Sequence, residues 1–96
     1  MTYSLHLAEI AKQEIAEAFL WYSGKREKLG YQFEAHITKL IESIQNNPGI
    51  FQVRYRDVRI AFMKKFPFGI HYRIIESKIT IIGVYHTSRD PKNWDR

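Results

Sequence analysis

The stretch KKFPFGIHYRI, residues 64–74, decides the fold. Within it Phe68, Ile70, Tyr72 and Ile74 alternate with Gly69, His71 and Arg73, the two-residue period of a strand with one apolar face. Just upstream, Val58, Ile60 and Phe62 alternate with Arg59, Ala61 and Met63. Downstream, KITIIGVYH (78–86) is apolar on both faces, which suits a strand with neighbours on either side. The links KKFP and ESK are short, so a three-stranded antiparallel meander is the economical topology, and residues 79–85 are expected to be the central strand of the sheet.

The first half of the chain has a different period. Residues 3–7, YSLHL, read as a short strand with Tyr3, Leu5 and Leu7 on one side. From Ala8 onward Ile10/Ala11, Ile15, Ala18/Phe19 and Tyr22 recur at three- and four-residue steps beside a face carrying Glu9, Glu14 and Glu17, as in an amphipathic helix that stops at Ser23-Gly24. After the charged link KREKLG, a second helix places Phe33, Ile37, Leu40, Ile41 and Ile44 on one stripe and ends at Asn46-Asn47-Pro48-Gly49. The expected fold is α+β: a small antiparallel sheet with an N-terminal strand and an α-helical hairpin packed on one face. One domain is expected over residues 1–96, because two cores in a chain of this length would each be too small.

Composition narrows the function classes. There is no cysteine, so neither a disulfide frame nor a thiolate metal site is available, and a reducing compartment, the cytoplasm, is the expected home. The start MTYSLHLAEI lacks the basic and apolar regions of a signal peptide, and no segment approaches the roughly 20 apolar residues of a membrane span. The formal net charge of +5 is uneven. Residues 1–53 carry five Lys/Arg against six acids, whereas residues 54–96 carry ten against four. Such an asymmetry points to an anionic partner; solubility alone is the plainer explanation.

If the even-numbered residues of 68–74 point at the helices, the opposite face carries Gly69, His71 and Arg73, and the same parity adds Arg59 to it. That face is expected to be open and basic, with Arg54, Arg56, Lys64 and Lys65 near its rim.

Taken in order, VRIAFMKKFPFGIHYRI, ITIIGVYH and HTSRDPKNW, preceded by a helical hairpin ending in NNPG, resemble the RelE/ParE toxins of bacterial toxin–antitoxin modules, often labelled plasmid stabilisation proteins. The most specific set is Arg59, Phe66-Pro67-Phe68, Tyr72-Arg73, His86, Arg89 and Pro91, closer to the ParE-like branch. The resemblance implies a growth-inhibiting toxin neutralised by a cognate antitoxin that wraps it with an acidic or amphipathic tail. Operator DNA is then met only through the antitoxin. RelE-like members cut mRNA on the ribosome without a metal; ParE-like members are associated with poisoning of DNA gyrase. At the place of a strand arginine in the RelE branch this chain has Gly69, and at the place of a late tyrosine it has Trp94, which exchanges no proton at neutral pH.

The candidate residues each carry a second, structural reading. Under the endoribonuclease alternative, Arg59, His86 and Arg89 are the catalytic set, two phosphate clamps and a proton shuttle. Otherwise His86 fixes the turn that follows it, and Arg89 pairs with Asp90 or Asp95. Arg54, Arg56, Arg59, Lys64, Lys65, His71, Arg73 and Arg89 form the candidate surface for target or antitoxin; the two lysines are equally well a solvated turn, and His71 and Arg73 a solvated sheet face. Trp21 and Tyr22 are expected to pack, one against the core and one over the loop, with target binding as the lesser reading, and Trp94 to pin the C-terminal segment. His6 and His36 share no ligand spacing, so no metal is expected, and no phosphate loop or nucleophile motif calls for a cofactor.

The leading reading is a toxin that acts by binding a target such as DNA gyrase. The alternatives are a ribosome-dependent, metal-free mRNA endoribonuclease and a non-toxic RNA- or partner-binding domain on the same fold. On the parity above, Arg59→Ala with Arg73→Ala should lower toxicity and leave the thermal unfolding midpoint in place; unfolding of the double variant would show the parity to be wrong.

Overall fold

The computed structural model describes residues 2–89 and 91. In chain order these form β1 (Ser4–Leu7), α1 (Glu9–Lys25), α2 (Glu27–Asn46), a 3-10 turn (Pro48–Ile50), β2 (Val53–Tyr55), β3 (Val58–Phe62), β4 (Phe68–Ile75) and β5 (Lys78–His86). The five strands make one sheet in the order β1-β5-β4-β3-β2. The α+β class, the helical hairpin and the meander of β3, β4 and β5 are as the sequence implies. β1 joins parallel to β5, Ser4 opposite Lys78 and Leu7 opposite Ile81, so the sheet is mixed. The middle strand is β4, with β5 enclosed between β1 and β4.

The helices are longer than their punctuation suggests. Residues 23–24 do not stop α1, and the link shrinks to Arg26, whose extended backbone separates the two helices. Tyr22 holds the last turn of α1 in place: its ring lies 5.4 Å from Phe33, 4.9 Å from Phe66 and 6.3 Å from Phe68. That packing outweighs the roughly 1 kcal/mol disadvantage of Gly24 in a helix. Gly30 permits the tight return, since a Cβ there would lie 3.1 Å from the Phe19 carbonyl oxygen and collide with the Ser23 side chain. The core runs along the stripes read from the periodicity, with Ala11, Ala18, Phe33, Ile37 and Ile44 buried against Ile70, Tyr72, Ile79, Ile81 and Val84.

Register, which the alternation alone does not set, departs from expectation. Arg59 stands opposite Tyr72 and Ala61 opposite Ile70, while Ile60 faces His71 and Phe62 faces Gly69. The connection between β3 and β4 thus sets odd-numbered residues of β3 beside even-numbered residues of β4. Arg59 and Ala61 therefore share the helix side with Ile70 and Tyr72, and Val58 and Ile60 go to the other side with His71. β5 contains a further irregularity. His71 pairs with Gly83 and Tyr72 with Ile81, leaving Ile82 as an extra residue, after which Val84 and Tyr85 oppose Ile70 and Gly69. The bulge lets Ile79 and Ile81 and then Val84 face the helices, which explains a strand that reads as apolar on both sides.

The end of α2 is fastened to the sheet through Tyr72, whose hydroxyl donates to the Pro48 carbonyl at 2.6 Å. Burial pushes this hydroxyl from 10.0 up to about 12, with the Arg59 guanidinium acting the other way. Burial also raises Tyr22. The folded chain holds these protons more tightly than the unfolded chain does, so the stabilisation is complete below about pH 10 and is lost as pH rises through 12. Urea unfolding between pH 9 and 12, on the order set by those values, should show stability falling with pH, and Tyr72→Phe should flatten that fall. An unchanged alkaline slope in the variant would contradict the assignment.

Candidate functional site

The sheet face away from the helices is not the open basic surface expected. Val58, Ile60, His71 and Tyr85 are all buried there, His71 to 1% exposure. The His71 ring is 4.5 Å from Tyr85, and its Nδ1 lies 2.8 Å from the Tyr55 hydroxyl. Gly69 and Gly83 fit this close cover. A Cβ at Gly69 would come to 2.9 Å from Ile60 Cγ2, and one at Gly83 to 2.7 Å from the Tyr85 ring. Position 69 therefore has no space for the arginine of the RelE branch. His71 is a buried side chain on this face, not a solvated contact.

Arg59, expected on that face, is absent from it. Its Nη1 donates to the Phe51 carbonyl at 2.7 Å and to the Gly49 carbonyl at 3.3 Å, strapping the 3-10 turn to β3. It stands on the helix side and does not share a face with Arg73. Arg73 keeps its expected side, where its Nε donates to Asp57 Oδ1 at 2.9 Å. Arg54 lies over the exposed Phe62 ring at 5.2 Å. Arg56 is exposed in the β2–β3 turn with a left-handed backbone, φ 49°. Lys64 and Lys65 are exposed on the β3–β4 connection.

His86 ends β5, and its Nδ1 accepts from the Ser88 backbone N–H at 3.1 Å and lies 2.7 Å from Ser88 Oγ. The ring therefore caps the turn, its structural reading. Arg89 pairs across to α1, Nη1 at 3.6 Å from Glu14 Oε2, and lies 4.5 Å above the Tyr85 ring. Glu14 is a residue that sequence reasoning missed. It looks like one more acid on a solvated helix face, yet its Oε1 accepts from the Val84 N–H at 2.9 Å, beside the bulge. Only the register of β5, invisible in the spacing, reveals that free donor. Asp90, Trp94 and Asp95, to which anchoring roles were given, lie outside the described residues.

The three residues of the endoribonuclease alternative are not assembled. His86 stands opposite Phe68 and Arg59 opposite Tyr72. Four residues along β4 and two strand spacings across separate those positions, roughly 16 Å in all. His86 and Arg89 instead come together at a groove of about 410 Å³ between α1 and the ends of β4 and β5, lined by Ala18, Trp21, Tyr22, Pro67, Phe68 and His86 and continuing past Glu14, Glu17 and Arg89. A second groove, of about 450 Å³, lies between α2, the 3-10 turn and the β3–β4 connection. Among the described residues no cluster of three or more metal-ligating side chains occurs.

The model of a family described as ParE toxin of type II toxin-antitoxin system, parDE, matches residues 5–91. The chain belongs to that ParE toxin family. In three dimensions it is similar to a chain of the chromosomal ParDE TA system from P. aeruginosa, with a TM-score of 0.77 and 19% identity over 88% of this chain and 96% of the other. That likeness shows that the ParE architecture of two helices and a five-stranded sheet is shared. No curated protein matches the chain by sequence. Among the described residues no helix is long and apolar enough to cross a membrane.

The two arginines should now separate. Arg59→Ala removes a charged donor from two carbonyls and should cost about 2–3 kcal/mol in denaturant unfolding. Arg73→Ala breaks a largely solvated pair and should cost no more than about 1 kcal/mol. Equal losses would contradict the placement of Arg59.

Proposed function

We propose that this ParE-family chain is the growth-inhibiting toxin of a type II toxin–antitoxin pair, that it acts by binding its target, and that the target is DNA gyrase. A cognate antitoxin holds it inactive, and operator DNA is met only through that antitoxin. Both encounters place it in the cytoplasm. The observation that supports binding over cleavage is the dispersal of Arg59, His86 and Arg89. Cleavage of RNA without a metal needs a base, an acid and a cation around one phosphate. Here Arg59 is committed to the carbonyls of Gly49 and Phe51, His86 caps its own turn, and Arg89 pairs with Glu14. The space at Gly69 is closed as well.

Surface chemistry is left for recognition instead. Trp21 is 60% exposed beside the α1 groove, and the cations of the second half, Arg54, Arg56, Lys64 and Lys65, remain at the surface. Tryptophan and arginine are among the side chains that anchor protein interfaces, and lysines at the rim steer the encounter.

Induced expression without antitoxin, with DNA-damage response and protein synthesis followed together, tests the reading. Early DNA damage and filamentation with translation intact is the expected result. Immediate loss of translation would point to mRNA cleavage, and unimpaired growth would point to a non-toxic binding domain.

A further inference from the structure

Along α1, Glu14, Glu17, Ala18 and Trp21 recur at three- and four-residue steps, so they share one stripe, and that stripe is the helical wall of the α1 groove and its continuation. The opposite wall is Phe68 and His86, at the start of β4 and the end of β5, with Arg89 beyond them. Among the described residues three charged side chains line this groove, and two of them cancel. Arg89 Nη1 lies 3.6 Å from Glu14 Oε2, and the other oxygen of Glu14 accepts from the Val84 N–H. Glu17 is exposed and has no ion-pair partner among the described residues. One turn along, Trp21 keeps 60% of its surface in solvent. The groove therefore carries one uncompensated carboxylate beside an exposed indole, in a chain whose net charge is +5.

The chain's own cations show what this surface accepts. Arg89 meets a carboxylate and a ring together, Glu14 at 3.6 Å and the Tyr85 ring 4.5 Å beneath its guanidinium. Glu17 and Trp21, four residues apart on a helix with Cβ atoms roughly 5–6 Å from each other, offer the same combination with no arginine of this chain upon it. Lys25 Nζ lies 4.9 Å from the centre of the Trp21 ring, so the indole already holds a cation. A guanidinium displaces that ammonium readily, because it is planar and weakly hydrated and can stack on the indole while forking to the carboxylate. We infer that the α1 groove takes an arginine side chain exposed on the toxin's target, its guanidinium paired with Glu17 against Trp21 and its stem lying along Ala18 and Phe68. Charge complementarity selects this occupant. A phosphate or an acidic segment would be repelled by Glu17 and would find Arg89 engaged, and a neutral apolar segment would bury the Glu17 carboxylate unpaired. The inference rests on the proposed function in one respect, that the chain acts by binding a protein target.

The test uses the full-length toxin and, as probes, a blocked glycyl-arginyl-glycine peptide, its lysyl and citrullyl counterparts and a mononucleotide, titrated while the Trp21 indole N–H is followed by NMR. The arginine peptide should give a saturable shift in the millimolar range, as a single side chain allows, and bind at least threefold tighter than the lysine peptide and at least fivefold tighter than the neutral citrulline isostere. Glu17→Gln should remove that preference, and Lys25→Gln should strengthen arginine binding. In a gyrase supercoiling reaction Glu17→Lys should raise the toxin concentration needed for inhibition at least tenfold, because an attractive charge becomes repulsive. Position 17 is exposed, so circular dichroism melts of its variants should match the wild type. An arginine peptide that binds no better than the citrulline one, or a Glu17→Lys variant that inhibits like the wild type, would overturn the inference and leave the target-binding reading standing. It would equally be overturned if the mononucleotide shifted the indole signal where the arginine peptide did not, or if Trp21→Ala merely dissolved a homodimer of the wild type. Failure of the wild type itself to inhibit supercoiling would remove the gyrase reading and the inference with it.

Discussion

The pairing of Arg59 with Tyr72 governs what the rest of this fold exposes. Because the β3–β4 connection offsets the two strands by an odd step, the arginine is carried to the helix side of the sheet. There the carbonyls left after α2 need donors, and Arg59 and Tyr72 supply them to Pro48, Gly49 and Phe51. The same step sends Val58 and Ile60 to the opposite face, where with His71 and Tyr85 they make a second, smaller buried patch. A sheet that would otherwise keep one face solvated thus has apolar groups buried on both.

With that face removed from solvent, the grooves of the fold lie on the flanks of the helical hairpin. α1 and α2 each leave a groove against the sheet, and the two differ in composition: Glu14, Glu17, His86 and Arg89 line the first, His36, Lys39 and Lys64 the second. A domain this small can therefore carry two chemically distinct grooves without a second domain. The net charge of +5 describes neither of them, because one sum hides the partition between grooves.

Much of the fold is legible in the sequence, since the helical stripes through Phe33, Ile37 and Ile44 and the alternation through Phe68 to Ile74 each record a local period. Strand register is not local. Whether Arg59 lies above or below the sheet depends on how residues 63–67 turn, and no periodicity within β3 carries that information. β2 is three residues long, too short for alternation to identify. The site was legible in its residue types rather than its arrangement. His86 and Arg89 line one groove without Arg59, and Lys64, expected at the rim of an open sheet face, lines the other. Glu14 drew no attention, because its role arises only when a bulge from elsewhere in the chain is brought beside it.

The most direct test of the claim that this toxin binds and does not cut is biochemical. Purified protein would be added in parallel to a gyrase supercoiling reaction and to ribosomes programmed with a defined mRNA. A toxin that binds gyrase and does not cut leaves supercoiling inhibited and the mRNA full-length. Cleaved mRNA with gyrase unaffected would contradict that claim, and would mean that the separated residues Arg59, His86 and Arg89 are not the ones that matter.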